Sequence, residues 1–140
     1  MIFFPWTMEC SIGVIGLDNE HWQLMDLINT LYEKMLSGTA AETANDIIDG
    51  LLAYADLHLK HEEDAMIWAD YPLYDEHKSR HDYFRSTTLK FRDEARAAQG
   101  DLAMIDVTRE LAAFLKDWLE QHIKNEDKIF GKFLNAKGIR

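Results

Sequence analysis

Five of the chain's six histidines and two carboxylates fall at spacings that only converging helices can use. The series runs His21, His58-x-x-x-Glu62, His77-x-x-x-His81 and His122-x-x-x-x-Asp127. On an α-helix of 3.6 residues per turn, positions i and i+4 differ by about 40° in azimuth. His58 and Glu62 therefore project from one face of a helix, and His77 and His81 from one face of another. Such pairs, aimed into a bundle interior, meet at a common point. Burying all seven groups in one core without a cation would be severely unfavourable. The set predicts a site for two borderline transition metals, iron foremost, because imidazole suits such ions and carboxylate oxygen can bridge them. Glu62 and Asp127, approaching from different segments, are the natural bridges.

The spacing of the last pair carries its own expectation. His122 and Asp127 lie about 140° apart on a regular helix, so both reach one site only if the helix ends or distorts between them. The spacing predicts a break or a tightened turn around Ile123 to Glu126. By the same angular rule Glu63, about 140° from His58, does not compete with Glu62 and is read as surface charge. His61 is read as solvated, near the rim.

The rest of the chain supplies the helices. Two prolines and seven glycines in 140 residues leave long uninterrupted stretches. After an irregular N-terminal arm to about residue 17, a first helix is expected from Asp18, as N-cap, to Ser37, with Gly38 as its stop. Leu24, Leu27, Ile28, Leu31 and Met35 recur along it at helical spacing. A capping box, Thr39-Ala-Ala-Glu42, opens a second helix that runs to about Trp68. Pro72 suits the first turn of a third helix reaching about Ala98. A fourth is expected from about Leu102 to Gln121, with Val107, Leu111, Phe114, Leu115, Trp118 and Leu119 inward, and a shorter piece from about Asn125 to Asn135 closes the fold. Short connections favour antiparallel neighbours, hence an all-α, up-down-up-down four-helix bundle with an N-terminal arm and a short C-terminal helix. Residues 1–140 are expected to form a single domain.

Composition removes several function classes. A formal charge of −10 disfavours nucleic acid, whose phosphates need basic patches, and anionic membrane surfaces likewise. Cys10 is the only cysteine, so neither an intrachain disulfide nor a thiolate cluster can form. It is read as a packed residue of the arm. No stretch approaches the ~20 apolar residues of a membrane span, and the apolar start lacks the pattern of a signal peptide. A soluble, cytoplasmic protein is expected.

The ordered residues resemble the hemerythrin family, in its bacterial branch, over nearly the whole chain. The likeness rests on Trp6, Ile12-Gly13-Val14 and Leu17-Asp18-x-x-His21. It continues through His58-x-x-x-Glu62-Glu63-x-x-Met66 and Tyr71-Pro72-x-x-x-x-His77-x-x-x-His81-x-x-Phe84. It ends in Asp117-Trp118-Leu119-x-x-His122-x-x-x-x-Asp127. The resemblance implies an oxo- or hydroxo-bridged, non-haem di-iron centre that binds dioxygen reversibly for storage, delivery or sensing. It further implies that His77, His81 and His122 hold one iron ion and His21 and His58 the other, which keeps a position open, with Glu62 and Asp127 bridging. Leu119 and Trp118 are the first candidates for a dry oxygen pocket, joined by Met25, Met66, Ile123 and Leu59, with Phe130 nearby. The chain departs from the family at Trp22, Leu59 and Phe130, where a polar residue, phenylalanine and tyrosine are usual. No nucleophile–base pair, nucleotide loop or substrate motif stands out, so an enzyme is not expected. The alternatives are a di-iron enzyme acting on peroxide, nitric oxide, dioxygen or an organic substrate, an oxygen-, redox- or iron-sensing module with a protein partner, and simple metal storage.

Overall fold

Four long helices account for most of the chain, and the residues each turns inward explain their order. The computed structural model describes residues 2–38 and 41–140. The helices are α1 (Ile15–Leu36), α2 (Ala41–Trp68), α3 (Tyr74–Ala97) and α4 (Asp101–His122). A π turn, Ile123–Asp127, joins α4 to α5 (Lys128–Ala136) without interruption. A 3-10 turn at Met8–Cys10 sits in the N-terminal arm. Helix α1 packs on α2 and α4, α2 on α3, and α3 on α4, which closes a four-helix bundle. Among the described residues no helix is long and apolar enough to cross a membrane.

The core runs through the middle of this bundle. Leu24, Ile28 and Leu31 of α1 meet Ile48, Leu51 and Leu59 of α2 and Leu111, Leu115 and Leu119 of α4, all buried. Helix α3 shows most plainly that the inward stripe turns polar at one end. Its buried residues are His77, His81, Phe84, Thr88 and Ala95, at the spacing of a single helix face. On α1 and α4, too, a histidine extends the apolar stripe, His21 beside Leu17 and Leu24, His122 beyond Leu119. One half of the core is therefore hydrocarbon and the other half imidazole and carboxylate.

Several expected boundaries shift, each for a physical reason. Helix α1 begins at Ile15 with Val14 as N-cap, three residues before the expected start. Asp18 lies inside the first turn, and its carboxylate reaches back to accept hydrogen bonds from the Ile12 N–H at 2.8 Å and the Ser11 hydroxyl at 2.6 Å. It ties the arm to the helix instead of capping it. The capping box at Thr39 to Glu42 lies outside the described residues. Pro72 sits in the turn before α3, whose N-cap is Leu73. Helix α2 ends in a Schellman turn: the Tyr71 N–H reaches the Met66 carbonyl and the Asp70 N–H the Ile67 carbonyl, with Asp70 at φ 52°. That turn folds buried Tyr71 back against His77 and Phe130. On α4, Val107, Phe114 and Trp118 are only half-buried. The expected short C-terminal helix is present as α5, continuous with α4 through the π turn.

Candidate metal centre

All seven residues singled out by spacing meet in the polar half of the core. His21 comes from α1, His58 and Glu62 from α2, His77 and His81 from α3, His122 from the end of α4, and Asp127 from the end of the π turn. None is more than 2% exposed. They form two sets that share both carboxylates: Glu62, His77, His81, His122 and Asp127 in one, His21, His58, Glu62 and Asp127 in the other. Within each set the potential ligand atoms all lie within 4.8 Å of one another.

Each carboxylate is split between the sets. Glu62 Oε2 lies 3.1 Å from His21 Nε2 and 2.9 Å from His58 Nε2. Its Oε1 lies 3.2 Å from His77 Nε2 and 3.3 Å from His81 Nε2. Asp127 Oδ2 faces His21 Nε2 at 3.1 Å, and Oδ1 faces His77 and His122 Nε2 at 3.0 Å each. One oxygen of each residue thus belongs to each set.

The π turn makes this possible. Widening the turn to i→i+5 bonding brings residue i+5 back over residue i, so Asp127 returns to the face of His122. The expected distortion is present at the expected place, but the helix widens where a tightened turn or break was the expectation.

The atoms converge without satisfying one another. Asp127 Oδ1 and Oδ2, His58 Nε2 and His21 Nδ1 are buried with no hydrogen-bond partner. The Nε2 atoms of His77 and His81 come within 3.1 and 3.0 Å of His122 Nε2, nitrogen against nitrogen. Buried polar atoms left this way are costly unless a cation supplies the missing partner. The donor chemistry, imidazole nitrogen with carboxylate oxygen, fits iron and its neighbours in the first transition row. The residues present therefore fit a pair of such ions. The two-imidazole set has one donor fewer than the three-imidazole set, which leaves it the more open.

Electrostatics point the same way. Burial alone would lower the imidazole pKa values, but the facing carboxylates outweigh it. His58 is pushed up to about 10, chiefly by the charge of Glu62 close to its Nε2 and by hydrogen bonding to Glu20. His77 rises to about 9 and His122 to about 10, through Asp127, Glu62 and, for His122, Glu126. Burial favours the neutral form of Glu62, yet His58, His21 and His77 hold its carboxyl well below the usual range. Asp127 is likewise held low, burial and Glu62 opposing, His122 and His21 prevailing. These raised values favour the protonated form of His58, His77 and His122, so metal binding there releases protons.

A ring of outer carboxylates was missed by the sequence reading. Glu20 lies 2.7 Å from His58 Nδ1 and 2.6 Å from His61 Nδ1. Glu63 accepts from His81 Nδ1 at 2.7 Å and from both terminal nitrogens of Arg85 at 2.6 and 3.2 Å. Glu126 lies 3.2 Å from His122 Nδ1 and 3.3 Å from Arg80 Nε. Glu63 is thus no surface charge: it is 8% exposed, and its pKa is down at about 2, burial opposing and His81 and Arg85 prevailing. Metal-binding histidines regularly donate their second N–H to a carboxylate, so acids beside the ligands were the available signal. His61 is exposed, as expected of a rim residue, but it is paired with Glu20.

The candidate pocket residues divide. Met25, Leu59, Met66, Leu119, Ile123 and Phe130 are buried. Trp118 is half-buried, and its ring lies on His122 at 4.4 Å between centroids and 19° from parallel. That places it on the three-imidazole side, away from the more open set. Trp22 is 52% exposed and takes no part in the site. Cys10 is buried with a free thiol.

Comparison with known proteins agrees with this fold. The family profile described as "Hemerythrin HHE cation binding domain" matches residues 13–134. A bacteriohemerythrin of Methylococcus capsulatus is 29% identical, with 97% of this chain and 100% of the relative covered. One from Clostridium acetobutylicum is 28% identical over 89% of this chain and 96% of its own. The crystal structure of wild-type hemerythrin superposes with a TM-score of 0.83 at 28% identity, covering 96% of this chain and 99% of that one.

Proposed function

Because the chain belongs to the hemerythrin HHE cation-binding family, we propose that it binds dioxygen reversibly at a centre of two iron ions. The observation that carries the reading is the division of Glu62 and Asp127, each offering one oxygen to each imidazole set. In this reading His77, His81 and His122 hold one ion, His21 and His58 the other, and the two carboxylates span both. Iron, when bound, supplies the electrons that make dioxygen uptake reversible.

The remaining roles belong to the chain. Glu20, Glu63 and Glu126 fix the orientation of His58, His81 and His122 through Nδ1, aiming each Nε2 inward. Leu59, Leu119, Met25, Met66 and Ile123 exclude water and anions from the more open set, which would otherwise occupy the position that dioxygen takes. Residues 1–140 act as one hemerythrin-like domain, working in the cytoplasm, where its lone cysteine stays reduced. Binding, not turnover, is its task.

The test is Glu62→Ala. Wild-type protein loaded with ferrous iron should hold two ions per chain, and the variant should lose at least one together with the colour that dioxygen produces. Retention of both ions and the colour would refute the bridging assignment. Consumption of dioxygen in step with added reductant would mark an enzyme instead.

A further inference from the structure

The site's ligands are sealed, yet iron that has become ferric must regain electrons before it binds dioxygen again. None of the seven residues is more than 2% exposed, so an external donor cannot touch the ions and the electron has to cross protein. One side of the site is built for this. Trp118 is the one aromatic ring stacked nearly parallel on a site imidazole among the described residues. The other ring contacts of these histidines are edge-on, at 63–87°. Trp118 also lines a groove of about 730 Å³. His77 also lines that groove; its Nε2 is turned to the site, and its Nδ1 has no hydrogen-bond partner among the described residues.

The groove has a sign. Asp75, Glu76 and Glu126 line it against a single guanidinium, Arg80, which is already paired with Glu126 at 3.3 Å. Tyr83, 58% exposed, adds an aromatic face beside Trp118. Carboxylates around aromatic faces attract cations both by charge and by the ring quadrupole. Acidic surroundings on a chain of net charge −10 also steer a positive partner and repel a negative one.

We propose that this groove is the docking site of a positively charged one-electron donor, and that the Trp118 ring conducts its electron to His122 and the iron beyond. The inference rests on the di-iron reading above. Each transfer oxidises the donor by one electron and reduces one ferric ion to ferrous. No bond to Trp118 forms or breaks, and the ring serves as a tunnelling bridge. Trp118 is accordingly a positioning and coupling residue on the three-imidazole side rather than part of an oxygen pocket.

The experiment uses reduced methyl viologen, a planar cation, and follows reduction of the ferric, iron-loaded protein by stopped flow. Trp118→Leu should keep the wild-type iron content yet be reduced several-fold more slowly, and Trp118→Phe, which restores a ring, should recover most of the rate. The pair Asp75→Asn and Glu76→Gln, both at exposed positions, should slow reduction at low salt and flatten its salt dependence. In the metal-free protein, oxidised methyl viologen should quench the fluorescence contributed by Trp118, and salt should relieve the quenching. Wild-type reduction rates in fully loaded Trp118→Leu would overturn the proposal while leaving the di-iron reading intact. Failure of the wild-type chain to take up iron would overturn that reading itself, and this inference with it.

Discussion

The carboxylate of Glu63 fixes the ring of His81, and Arg85 in turn fixes that carboxylate. The angular rule correctly says that Glu63 does not share the direction of His58 and Glu62, but the rule is blind to a neighbouring helix. Pointing away from one ligand on α2, Glu63 reaches another, His81 on α3, and is locked there by Arg85. Spacing finds groups that meet at a metal; it is blind to Glu20 and Glu63, which hold their histidines from behind across helix boundaries, whereas Glu126, at i+4 from His122, lay within its reach. Replacing Glu63 by glutamine should lower iron affinity about 10- to 100-fold while the fold survives, measured by competition with a chelator. Unchanged affinity would reduce Glu63 to a surface ion pair. Leu119 tests the apolar side. Leu119→Ala removes a buried side chain at a cost of about 2–5 kcal/mol, keeps both ions and speeds autoxidation or anion entry. Equal autoxidation rates would place Leu119 outside the path to the site.

At the scale of elements, the π turn and the arm above it belong together. The i+5 step from His122 to Asp127 told that the helix must distort, and where. It did not tell the sense, because a distortion is an answer to packing on both sides of it. A break would free the last segment; the widened turn instead keeps α5 continuous and presents Phe130, Gly131 and Leu134 to the core. The arm crosses that helix at Gly131, where an added Cβ would collide with the Ile12 carbonyl. Lys128 donates to the Glu9 carbonyl at 3.1 Å and Asn135 to that of Gly13 at 2.9 Å, binding the same arm to the same helix. Such long-range strapping leaves no periodic trace in sequence. Gly131→Ala meets backbone, which yields little, and should cost about 1–3 kcal/mol as overpacking. A thermal melt should show a midpoint lowered by about 5–10 °C; no shift would mean the arm moves freely aside.

For the molecule as a whole, the hydrophobic stripes and the ligand series together made the bundle legible, since both demanded four inward-facing helices. The Glu20 and Glu63 contacts and the Trp118 groove were not, because they arise only once α1 lies against α2 and α3 against α2 and α4. The charge state of the site gives a whole-molecule prediction. Imidazoles raised to about 9–10 in the folded chain, against about 6.5 when unfolded, bind extra protons on folding. Their contribution to the stability of metal-free protein is complete below pH ~6.5 and is lost as pH rises through about 9–10. Metal binding has the opposite sign, tightening as those protons leave. Thermal melts of metal-free protein between pH 7 and pH 10 should fall steadily, and a flat profile would mean the imidazoles are not held as cations.

Reversible binding of dioxygen is tested by the visible spectrum of anaerobic, ferrous-loaded protein before dioxygen, after dioxygen and after purging with argon. Reversible binding at the paired site predicts a band that grows with dioxygen and vanishes on purging, repeatedly and at constant iron content. Immediate, irreversible conversion to the ferric spectrum, with no band that purging removes, would contradict it.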